Sequence, residues 1–205
     1  MRRATLAVVS AGLSVPSSTR LLADRLAAAT AAALRGHGIE PEVRVVELRE
    51  HARDLADHLV TGFPNAELRP AVDAVTGADG LIAVTPIFAA SYSGLFKTFF
   101  DVVDKDALSG KPVLLGATAG TARHSLALEH ALRPLFAYLR TIVVPTAVFA
   151  AAQDWGAGDV TSRDLVRRIE RAAGELADLV AGRPAAAVAD PFATATPFEA
   201  LLRGA

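Results

Sequence analysis

The chain has 205 residues, 21 basic and 22 acidic side chains, and a formal net charge of −1. That length suits one α/β domain, and near-neutral charge excludes a nucleic-acid-binding face, which needs a clear Lys/Arg excess. The absence of cysteine excludes disulfides, thiolate metal sites and cysteine nucleophiles.

The composition is 52% apolar, with a mean hydropathy of +0.34. No run approaches the roughly 18 apolar residues that a spanning helix needs, so a membrane protein is not expected. Much of the apolar excess is alanine, about one residue in five, well above ordinary usage. Arg outnumbers Lys 18 to 3, which fits the codon bias of a GC-rich bacterium. The apolar stretch after Arg2 and Arg3 is too short for a signal peptide, so the expected location is the cytoplasm.

In chain order, Thr5–Ser10 is a continuous apolar run, the mark of a strand covered on both faces. Ser17 to Arg35 reads as a helix through Leu21, Leu22, Leu26, Ala29, Ala33 and Leu34, ended by Gly36-His37-Gly38. Glu42–Leu48 is the second strand, its mixed polarity marking an edge. Two short helices are expected over 49–61 and 66–77. Leu81–Thr85 is the third strand, stopped by Pro86, and a helix follows from Tyr92 to Val103. Pro112–Leu115 opens the fourth strand, His124–Leu139 a long helix, Ile142–Phe149 the fifth strand and Arg163–Val180 the last helix. Five apolar strands alternating with helices predict a doubly wound five-stranded parallel sheet with helices on both faces. After Gly182 the chain becomes rich in Ala and Pro. The domain is therefore expected over 1–182, with 183–205 a disordered tail or an arm packing Phe192, Phe198, Leu201 and Leu202 on a neighbouring subunit.

In such a sheet, ligands sit beyond the carboxyl ends of the strands. The loop after strand one holds hydroxyls at Ser10, Ser14, Ser17, Ser18 and Thr19 and opens a helix, whose free N–H groups suit a phosphate. Helix capping alone would use one hydroxyl, not five. The loop matches neither a P-loop nor a dinucleotide fingerprint, leaving a monophosphate ester as the economical ligand. The loop after strand three places Phe88 and Tyr92 at the mouth of the sheet, where each could flank a planar ring or belong to the core. Lys97 and Asp101, four residues apart on the next helix, read as a surface pair. The loop after strand four, Gly116 to His124, is built of small residues that let backbone approach a ligand. His124 stands beside it. His37, His51, His58 and His130 lie in unrelated elements, so no metal site is expected.

Taken together, S-A-G-L-S-x-P-S-S-T-R, T-P-I-F-x-A-S-Y-S-G-L-F-K-x-F-F-D and A-T-A-G-T-x-R-H-S-L-A-L-E-x-x-L-R-P-L resemble the NAD(P)H-dependent FMN reductase family over residues 4–182. The pattern is similar to the actinobacterial branch that supplies reduced FMN to luciferase-like flavin monooxygenases. The resemblance implies a flavodoxin-like fold, FMN with NADPH or NADH, and a homodimer or homotetramer. It also implies that Ser10, Ser17, Ser18 and Thr19 hold the FMN phosphate, with Ser14 in the same hydroxyl loop. Pro86, Ile87, Phe88 and Ala89 would run along the ring and ribityl chain, and Thr118, Ala119 and Gly120 beside the ring. Ala11 before Gly12, and Phe88-Ala89 where many relatives carry Tyr-Asn or Tyr-Lys, depart from the pattern. Hydride transfer between two stacked rings asks little of side chains, so no catalytic residue is assigned. A quinone or azo reductase with tightly held FMN, and a flavodoxin-type electron carrier, remain alternatives. Arg20 and Arg123 are both candidates for a coenzyme 2′-phosphate.

Overall fold

The structure, a computed structural model, describes residues 2–104, 106–156 and 160–182. The expected tail or arm at 183–205 lies outside the described residues. Strands β1 (Arg2–Ser10), β2 (Ile39–Glu47), β3 (Gly80–Phe88) and β5 (Pro112–Ala119) run parallel in the order β2-β1-β3-β5. Beyond β5 the fifth position is shared by two short strands, β6 (Ile142–Val143) and β7 (Val148–Ala151). A two-residue strand, β4 (Ser91–Tyr92), pairs antiparallel with the end of β3. The parallel order is that of flavodoxin-like sheets, with its switch point between β1 and β3.

Successive residues of each central strand face opposite layers, which explains their unbroken apolar runs. Leu6 and Val8 of β1, with Ile82 and Val84 of β3, pack under helices α1 (Ser18–Gly36) and α6 (Val160–Gly182). Ala7, Val9, Leu81 and Ala83 face the other layer, made by α2 (Ala52–Thr61), α3 (Arg69–Thr76), α4 (Gly94–Val102) and α5 (Arg133–Tyr138). Phe96, Phe99, Phe100 and Phe136 fill that second core, with Phe100 and Phe136 ring centroids 4.9 Å apart. Buried alanines such as Ala23 and Ala27 on α1, and Ala172 and Ala173 on α6, keep the first layer thin.

The helix expected from Tyr92 starts only at Gly94, because Ser93 is its cap and Tyr92 belongs to β4. Three other elements differ from expectation, each around a proline. Strand β3 does not stop at Pro86 but runs through it to Phe88. The Val84 carbonyl accepts from the Ala11 amide on the β1 side, and alternation along the strand turns Pro86 to that side too, past the last β1 partner at Ser10. The missing N–H therefore costs no ladder bond. Pro145 divides the expected fifth strand. Arg133 donates to the Val144 and Pro145 carbonyls, each at 3.2 Å. Glu175 of α6 accepts from the Thr146 amide and hydroxyl, both at 2.7 Å. The long helix expected over 124–139 is broken into a 3₁₀ turn at Ala122–His124, a π turn at Leu128–Leu132 and α5. Pro134 lacks the amide that a continuous helix would bond back to His130.

The β3–β4 hairpin turns on Ala89 and Ala90, with φ of +47° and +68°. Two consecutive residues at positive φ make the primed type of two-residue turn, which favours Asn-Gly. Each alanine there carries strain of about 1–2 kcal/mol. The double substitution Ala89→Asn with Ala90→Gly should raise unfolding free energy by about 1 kcal/mol, read from urea denaturation.

Candidate functional site

A cleft of about 370 Å³ opens at the carboxyl ends of β1, β3 and β5, within the range of small-molecule sites. One wall is the β1–α1 loop and the first turn of α1, through Leu13, Ser14, Ser17, Ser18 and Thr19. The opposite wall comes from Pro86, Ile87 and Phe88 at the end of β3. The floor comes from Thr118, Ala119 and Gly120 at the end of β5. The three loops singled out from the sequence thus meet at one place.

The end of the cleft beside α1 is built by capping geometry. Ser17 is the N-cap of α1, its Oγ accepting from the Arg20 amide at 3.2 Å. The Ser18 and Thr19 amides make no hydrogen bond to protein among the described residues, so two donors remain at a helix N-terminus. Thr19 Oγ1 lies 2.7 Å from Thr118 Oγ1, tying α1 to β5 beneath the cleft. Gly12 makes room for this cap, because a Cβ there would stand 2.1 Å from Ser17 Oγ. This small cradle of neutral donors and free amides fits a phosphate ester.

On the other wall, Thr85 is fully buried and organises the hairpin. Its hydroxyl donates to the Pro86 carbonyl at 2.9 Å and accepts from the Ser93 amide at 3.0 Å. Ser93 in turn caps α4, accepting from Phe96 N–H at 3.2 Å. Phe88 emerges from this support half exposed at the cleft, available to lie along a planar ring. Tyr92 takes the other of the two roles left open for the aromatic pair. It packs on the second core with its ring 5.9 Å from Phe96 and does not line the cleft.

Two of the expected residues stand apart from the cleft wall. Ser10 is 1% exposed at the end of β1, paired with Val84 and Glu47 in the ladder. Ala89 is at the exposed hairpin turn. Leu13 lines the cleft and was missed, although it lies in the same hydroxyl-rich loop. Arg20 faces away into a carboxylate pair. Its Nε is 2.8 Å from Asp24, and a second nitrogen bonds Glu47. The hydrogen bond to Asp24 holds its pKa above the ordinary arginine value against the opposing effect of burial. His124 lies in a neighbouring groove rather than in the cleft. No titratable side chain lines the cleft among the described residues.

A family model described as NADPH-dependent FMN reductase matches residues 4–156. The chain belongs to that family. It is an oxidoreductase of the NAD(P)H:FMN class with a flavodoxin-like fold, and flavin and nicotinamide are its reactants. A protein of Pseudomonas aeruginosa named FMN reductase (NADPH) is 39% identical over 85% of this chain and 91% of its own length. The NADH-dependent FMN reductase SfnF of Pseudomonas fluorescens is 39% identical over 83% of this chain and 89% of its own. An X-ray structure described as an oxidoreductase of Corynebacterium diphtheriae superposes with a TM-score of 0.86 at 48% identity, over 90% of this chain and all of that one.

The cradle of this reductase depends on the gap at Gly12. Gly12→Ala should push Ser17 off its cap and lower unfolding free energy by about 1–2 kcal/mol, measured by chemical denaturation.

Proposed function

We propose that the cleft takes FMN with its phosphate on the first turn of α1 and its ring between Phe88 and the Thr118–Gly120 strand end, and that reduced flavin leaves to a partner flavin monooxygenase. The observation that carries this reading is the pair of free helix amides, Ser18 and Thr19, facing a cleft that no charged side chain lines. When bound, FMN supplies a ring that accepts a hydride from the nicotinamide. This chain's part is to hold that ring and leave one face open to the coenzyme. Ser14, Ser17, Ser18 and Thr19 offer hydroxyls to the phosphate, and Ser10 supports the loop from beneath. Phe88 excludes water along one side. Ala119 and Gly120 keep the approach narrow enough for backbone contact.

Release of reduced flavin is supported by relatives whose names make FMN itself the species reduced. No helix among the described residues is long and apolar enough to cross a membrane, and we place the enzyme in the cytoplasm, where nicotinamide coenzymes are plentiful. Residues 1–182 form the reductase domain in this reading. Assembly as a homodimer or homotetramer is part of this reading. Sedimentation of a single monomeric species would remove that part of the reading.

Purified protein should oxidise NADPH or NADH only when FMN is present. Ser17→Asp keeps a good N-cap but sets a carboxylate against the phosphate. The variant should bind FMN at least tenfold more weakly, a change of about 1.4 kcal/mol. Riboflavin, which has no phosphate, should bind it as it binds the unaltered protein. Equal losses for both flavins in a fluorescence titration would place the phosphate elsewhere.

A further inference from the structure

Kinship leaves the coenzyme open, since the two relatives at 39% identity are named for opposite nicotinamides. NADPH differs from NADH by one 2′-phosphate, so the question reduces to which cation near the cleft is available to a doubly charged anion. Arg20 is not. Asp24 and Glu47 already hold its guanidinium on the far side of the β1–α1 loop.

Arg123 is available. It is exposed, and no carboxylate among the described residues pairs with its side chain. It lines a shallow groove of about 260 Å³ together with His124, Leu126 and His130, closed on one side by Ala90. No acidic residue lines that groove. Glu129, on the same segment, is taken by Arg133 through two hydrogen bonds of 2.6 and 3.0 Å. Arg133 thereby holds the Glu129 carboxylate, which also interacts with His130, in an ion pair of its own.

The groove is also in the right place. Gly120 lines the flavin cleft and Arg123 follows three residues later, while Phe88 of the cleft and Ala90 of the groove are two residues apart on the same hairpin. The hairpin turn is therefore the shared lip between cleft and groove. A coenzyme with its nicotinamide at the flavin ring would cross that lip to reach the groove with its adenosine end. There Leu126, 64% exposed, offers apolar surface to the adenine.

We infer that this reductase prefers NADPH and that Arg123 holds the 2′-phosphate, with His124 and His130 as flanking donors. The inference rests on the reductase reading above and deepens it. A guanidinium suits a phosphate because it presents paired donors in a fixed fork. His124 and His130 can donate to the same oxygens from the groove wall.

The test compares kcat/KM for NADPH and NADH at saturating FMN, in the unaltered protein and in Arg123→Gln. The unaltered protein should favour NADPH at least tenfold. Arg123→Gln should lose roughly 10- to 100-fold with NADPH, mostly through KM, and stay within about twofold with NADH. Arg123→Lys should recover part of the loss. Independently of turnover, calorimetry with 2′,5′-ADP as probe should show binding that Arg123→Gln weakens at least tenfold, while 5′-ADP, which lacks the 2′-phosphate, is unaffected. A preference for NADH, equal losses with both coenzymes, or 2′,5′-ADP binding untouched by the substitution overturns the inference and leaves the reductase reading standing. Absence of FMN-dependent oxidation of either coenzyme brings down both.

Discussion

Everything in this molecule follows from burying a parallel sheet on both faces. The middle residues of β1, β3 and β5 are apolar in both directions, so they pack and offer no polar chemistry. Polar groups are displaced to the carboxyl edge, where ladders end and loops begin. There the backbone groups that the sheet no longer pairs need partners, and short hydroxyl side chains provide them. Thr19 bonds Thr118, Thr85 bonds Pro86 and Ser93, and Ser17 caps α1. Of these hydroxyls, Ser17, Thr19 and Thr118 also line the cleft.

That origin explains why the cleft has no titratable lining. A flavin reductase moves a hydride between two bound rings, and the rings carry the redox chemistry themselves. What the protein controls is distance, stacking and access. Charge is kept outside, on the rim, where Arg20 is neutralised by two carboxylates and Arg123 is not. A nearly balanced chain with no cysteine is therefore no obstacle to a redox function, because the electrons never pass through side chains.

Much of this was legible in the sequence. Continuous apolar runs at Thr5–Ser10 and Leu81–Thr85 identified buried strands, and the polar Glu42–Leu48 run identified the edge strand β2. The hydroxyl loop and the loops after strands three and four stand out by residue type, the family resemblance points within them to Pro86–Phe88 and Thr118–Gly120, and the structure brings these segments to one cleft. Three things were hidden. Proline is read as a stop, yet Pro86 occupies a strand position whose missing amide has no neighbour to disappoint. The Ala89-Ala90 turn carries none of the Asn or Gly that announces a hairpin, so the β3–β4 pairing was invisible. Tyr92 and Phe88 look equivalent in a list of aromatics, and only the hairpin register sends one into the core and the other to the cleft.

The two alanines at that turn also make the hairpin a spring. A codon bias that fills the chain with alanine has placed the residue where the backbone has to turn left-handed. The turn is held against that strain by two cross-strand pairs and by the Thr85–Ser93 bond at its base. The hairpin at the edge of the cleft is thus among the parts of the sheet with the least to lose by opening, whereas β3 a few residues away is held by ladders on both sides. In the proposed reading, a reactant that must enter, react and leave passes beside the weakest joint of the cleft.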